Sequence, residues 1–122
     1  MTTIEIEEIY RLGSEIYNKN NTMEKARDYM EKSYPGRSKS SIRYYLVAIV
    51  SMFEGSSEFK QKISAKALSY FFEQIIINFK NQENVIENAF KAVEFHIEYQ
   101  QKSVDNVVKD SKELYNNIKS KS

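Results

Sequence analysis

The stretch "SYPGRSKSSIRYYLVAIVSMFEG", residues 33–55, holds the chain's one proline and two of its three glycines. It opens on a turn, "YPGRS", because proline disfavours helical geometry in the residue before it and glycine permits a reversal. Ser38 or Ser40 then caps a helix. Its inward stripe is Ile42, Tyr45, Leu46, Ile49, Met52 and Phe53, and Gly55 stops it. A β-rich chain of 122 residues would need many turns with special backbone angles, and three glycines and one proline do not supply them. The expected class is all-α: a single compact bundle of five to six helices.

The neighbouring segments read the same way. Thr2 followed by Glu5 is a capping box opening a helix to about Asn18, with Ile6, Ile9, Tyr10, Gly13, Ile16 and Tyr17 inward. Glu5, Glu7 and Glu8 are read as its solvated acidic start, suited to the positive end of the helix dipole. Thr22 caps a shorter helix carrying Met23, Ala26, Tyr29 and Met30 inward. After residue 55, "GSSEFKQKI" reads as a polar connector. Ser64 caps a fourth helix with Leu68, Phe71, Phe72, Ile75, Ile76 and Phe79; it is apolar on more than one face and is expected to be central. A fifth helix runs from about Glu83 to Gln101. Ser103 is expected to cap a sixth, with Val104, Val107, Val108, Leu114, Tyr115 and Ile118 on one stripe, and the tail "NNIKSKS" to fray. The expected division is 1–101 as the main helical module, with 102–122 as an added helix that packs on the core or mediates a homodimer.

Composition narrows the chemistry. Without cysteine, a disulfide framework, a thiolate zinc site and a cysteine nucleophile are all excluded. His96 is the one histidine, so no paired-histidine metal site can form within a single chain; it is read as a part-buried residue bonded to a neighbouring helix. Glu94 and Glu98 lie one helical turn apart and are read as an exposed face rather than metal ligands. No P-loop, glycine-rich dinucleotide turn or helical zinc motif occurs. The chain reads as a non-enzyme, with no catalytic residue, no metal and no cofactor. No apolar run reaches the roughly 18 residues of a membrane span, and no signal peptide is visible, so a cytoplasmic location is expected.

Net charge is +1, but its distribution is uneven. Residues 36–66 carry six basic side chains (Arg37, Lys39, Arg43, Lys60, Lys62, Lys66) against Glu54 and Glu58, whereas residues 1–31 carry four basic and seven acidic ones. A local basic patch is what contact with phosphates requires. The second helix, the turn and the third helix also follow one another in a helix-turn-helix-like order. Ser38, Lys39, Ser41, Arg43 and Tyr44 are expected to be exposed on the first turns of the third helix, where free N–H groups suit phosphate oxygens. Arg43 has the reach for a base edge.

The segments "TMEKA", "SKSSIRYYLVAIVSMFEG", "FKQKIS", "ALSYFFEQI" and "NAFKAVEFHIEY" together resemble the helical N-terminal module of bacterial HNH endonucleases and related restriction enzymes, over about Thr22 to Tyr99. The resemblance implies a part in engaging duplex DNA. It would put Ser38, Ser40, Ser41 and Arg43 at the DNA-facing helix start, and Lys60 and Lys62 in a basic loop. Lys66 joins them from the start of the fourth helix. Two departures stand out: no nuclease domain follows Tyr99, and Gln61 stands where the pattern carries an arginine. A second expectation is a protein partner. Here the chain would inhibit a nuclease, with Glu5, Glu7, Glu8 and Glu15 imitating phosphates. A monomer and a homodimer are both compatible with the sequence.

Overall fold

Thr2 opens the first helix as its spacing requires. Its hydroxyl accepts from the Glu5 N–H while the Glu5 carboxylate accepts from the Thr2 N–H, and α1 runs Thr3–Tyr17. The computed structural model describes residues 1–99 and 102–121. Among these, α2 is Met23–Ser33, α3 Lys39–Glu54, α4 Ala65–Asn78, α5 Glu83–Tyr99 and α6 Asp105–Ser120, with no strand. Thr22, Ser38 and Ser64 each accept from the N–H three residues on, satisfying donors that a helix start leaves open. Gly55 ends α3 at φ +69°, the left-handed region that a side chain disfavours.

Packing centres on α3, not α4. The most extensive helix contacts are α3 with α5 and α3 with α1; α2 also lies on α3, whereas α4 packs chiefly on α6. The expectation for α4 fails at Ile77, which is 47% exposed on the face turned from the bundle. Ile42, Leu46, Ala48, Ile49, Met52 and Phe53 of α3 are fully buried. Gly13 lets α1 come this close: a Cβ there would stand 2.5 Å from Ile49 Cγ2. Phe53 stacks on Tyr17 at 4.9 Å between centroids and meets Phe79 edge-on at 5.5 Å, closing one end of the core.

Three further details differ from the sequence reading. Tyr29 does not face inward; it is 42% exposed, with the Arg11 guanidinium 5.2 Å above its ring. Ser103 does not cap α6. Lys102–Val104 form a 3₁₀ turn that buries Val104, so the helix starts at Asp105 with no side-chain cap. The tail "NNIKSKS" stays helical to Ser120. Val104, Val108 and Tyr115 are buried and Val107, Leu114 and Ile118 pack on the core, so α6 uses its apolar stripe within the chain. The expected end of α5 at Gln101 lies outside the described residues.

Glu5 is the largest correction. It is 3% exposed rather than solvated. The Arg37 guanidinium donates to both of its oxygens, Nε at 2.8 Å and Nη2 at 2.9 Å. That bond holds the Glu5 carboxyl down to about 2 against the opposing effect of burial. The pair joins the first turn of α1 to the residue before the cap of α3.

Replacing Gly13 with Ala should lower stability by about 1–3 kcal/mol through overpacking against Ile49, read as a lower urea midpoint with an unchanged slope. The ion pair predicts a pH dependence. Because Glu5 titrates lower in the folded state than its ordinary 4.5, its contribution is complete above that value and is lost as pH falls through about 2. Glu5→Gln should cost about 1–3 kcal/mol at neutral pH and flatten urea midpoints measured on descending pH; parallel profiles for the two proteins would remove this role.

Candidate nucleic-acid interface

The residues expected at a DNA interface divide into groups, with Ser40 exposed on the first turn of α3. Arg37 is bound to Glu5 and is a structural residue. Ser38 and Ser41 satisfy each other: the Ser41 N–H donates to Ser38 Oγ at 3.1 Å, and the Ser38 hydroxyl donates to Ser41 Oγ at 2.9 Å. Lys66 reaches back to α1 and donates from Nζ to Thr3 Oγ1 at 2.6 Å. Lys39, Arg43, Lys60 and Lys62 are exposed, and none of them has an ion-pair partner among the described residues.

Arg43 and Lys60 line one groove of about 340 Å³ with Tyr44, Val47, Glu58 and Gln61. Its floor is the solvent-facing stripe of α3, and its wall is the loop 56–63. Lys39 lies one turn before Arg43 on the same helix, and Lys62 two residues beyond Lys60 in the loop. Arg43 and Lys60 are the two cations of the groove lining, and Glu58 is its single acidic group. A smaller cavity of about 230 Å³ continues from it, sharing Val47 and Glu58 and adding Met23, Val50, Ser51, Glu54 and Ser56. The combined cleft is cationic at the Arg43 end and apolar and acidic at the other.

The loop wall is built, not loose. Phe59 and Ile63 are buried although the segment reads as polar. The Phe59 ring stacks on His96 at 3.7 Å between centroids and 10° between planes. His96 Nδ1 lies 3.0 Å from the Phe59 carbonyl oxygen. A carbonyl only accepts, so this nitrogen carries the hydrogen and donates. His96 is thus fully buried and bonded to the loop, where a neighbouring helix was expected. The Ser64 N–H donates to the Tyr45 hydroxyl at 3.0 Å, and Asn88 donates from Nδ2 to the Phe53 carbonyl at 3.1 Å, fixing the end of α3 beside it. With Phe59 held inward, its neighbours Glu58 and Lys60 are turned to the groove. The signal for this in the sequence is slight: two apolar residues four apart in a polar run.

No protein-family model, curated protein or solved structure matches this chain. Among the described residues, no group of three His, Asp or Glu side chains is placed to hold a metal ion, and no helix is long and apolar enough to cross a membrane.

Substituting His96 with Leu keeps an apolar volume but removes the donor to Phe59. The expected loss is about 1–3 kcal/mol, with faster amide hydrogen exchange across residues 57–62 than across α1. Unchanged exchange in that segment would show that the stack does not hold the loop.

Proposed function

We propose that this chain is a DNA-binding module that contacts the phosphate backbone through the cationic groove at the start of α3. The observation that carries this reading is the convergence of Arg43, on the helix, and Lys60, on the loop, in one open groove. Lys39, one turn earlier on α3, and Lys62, two residues further along the loop, are exposed as well. Side chains that are solvated and uncommitted keep their charge for a polyanion, and release of counterions from DNA then drives association. The resemblance to endonuclease-associated helical modules points the same way, though the role proposed here needs no nuclease domain in the chain.

The contact set differs from the one the sequence suggested. Arg37, Ser38 and Ser41 serve the fold, so phosphate contact falls to Lys39, Arg43, Lys60 and Lys62, with Lys66 at the periphery. The inhibitor reading, in which α1 imitates phosphates, has less to draw on. Glu5 is buried against Arg37, and Glu8 and Glu15 are both bonded to Arg11. Glu7 alone of the four carboxylates is exposed without such a pairing among the described residues.

Duplex binding should fall with salt at a log–log slope near −0.9 per phosphate contact, or about −3 to −4 for four. Arg43→Ala with Lys60→Ala should reduce that slope by about 2 and leave the unfolding midpoint unchanged. Arg37→Ala should instead lower the midpoint. No binding at about 50 mM salt would end this proposal.

A further inference from the structure

The cleft has features that phosphate contact alone does not explain. A groove made only for phosphates gains from cations and loses from any carboxylate, yet Glu58 lines this one and Glu54 its continuation. Tyr44, an aromatic side chain 36% exposed, stands beside Arg43, and Val47 lies at the junction of the two cavities. Along α3 the lining therefore offers a cation at Arg43, an aromatic ring at Tyr44 and apolar surface at Val47, and the facing loop adds the carboxylate of Glu58. This matches the parts of a nucleotide. A phosphate suits Arg43 and Lys60, a base plane suits Tyr44 and Val47, and a base edge bearing hydrogen-bond donors suits Glu58. The volume, about 340 Å³, falls at the lower end of the roughly 300–1,000 Å³ typical of small-molecule sites.

We infer that the groove between α3 and the loop 56–63 receives one unpaired nucleotide of a DNA strand, with a preference for cytosine over thymine. The inference rests on the DNA-binding reading and adds to it a ligand class. Unpaired bases expose both a face and an edge, and aromatic side chains take the face without regard to sequence. Glu58 supplies the selectivity: an ionised carboxylate only accepts, so it favours the cytosine N4 amino group and opposes the O4 acceptor of thymine. Gln61, with an amide that both donates and accepts, is placed in the same lining for the remaining edge atoms. The Phe59–His96 stack holds Glu58 and Lys60 at their separation and acts as the positioning element of this site.

The test is fluorescence anisotropy of the full chain with a labelled duplex, with the same duplex carrying one bulged cytosine, and with one bulged thymine. The expected order is cytosine bulge tightest, tighter than the paired duplex by about tenfold or more. Tyr44→Ala should erase the bulge preference and Tyr44→Phe should keep it, since stacking needs the ring and not the hydroxyl. Glu58→Gln should reduce discrimination between cytosine and thymine by about fivefold or more without weakening binding of the paired duplex. Equal affinity for paired and bulged DNA overturns this inference while leaving the DNA-binding proposal standing. Equal affinity for the two bulges overturns the role of Glu58, and no binding to any of the three removes both readings.

Discussion

Glu5 and Arg37 are separated by 32 positions, and their ion pair determines where the chain enters α3. One partner is buried and the other partly so, and two nitrogen–oxygen contacts under 3 Å fix both planes. Such a bidentate pair is directional as well as attractive. It sets the turn after α2, and that turn sets Ser38 as the cap. The first open N–H groups of α3 then face outward beside Lys39. Removing one partner would strand a buried carboxylate or leave the turn without its anchor, and the loss would exceed the net worth of the pair. Gly13 complements it further along α1, where the absence of a side chain admits Ile49. Together the two contacts hold α1 along α3.

This arrangement explains why α3 is both core and surface. Most of its circumference is enclosed by α1, α2 and α5, and one stripe from Arg43 through Val47 and Val50 to Glu54 remains open. A helix held on three sides is a rigid support for side chains on its fourth, which is what a binding site needs if its groups are to be in place before a ligand arrives. The opposing wall is irregular backbone made rigid by burial of Phe59 and Ile63. The site thus joins a helix stripe to a loop anchored in the core by two buried side chains.

Helix class and helix starts were legible because their causes are local. Thr2, Thr22 and Ser64 cap as read, and Ser38 takes the cap that the sequence left open between it and Ser40, since a cap involves a side chain and an N–H three residues away. Tyr29 was misread because spacing places it beside Ala26 and Met30 but cannot report that the helix edge ends there. Ser103 was misread because burial of Val104 tightened the preceding turn. In the candidate site, Arg43 is exposed as expected, and the groove that it shares with Lys60 has as its wall the loop that buries Phe59 against His96. Arg37 looked equivalent to them. Only a carboxylate 32 positions earlier distinguishes it, beyond the reach of helical spacing.

The loop 56–63 has a consequence for how this molecule can vary. Its anchors are Phe59 and Ile63, with Ser64 fixed beyond them, whereas Ser57, Glu58, Lys60, Gln61 and Lys62 are exposed. Exchange at the exposed positions leaves the anchors untouched, because surface substitutions away from caps and buried contacts shift stability little. The scaffold therefore separates substitution on this exposed face from the contacts that hold the protein together.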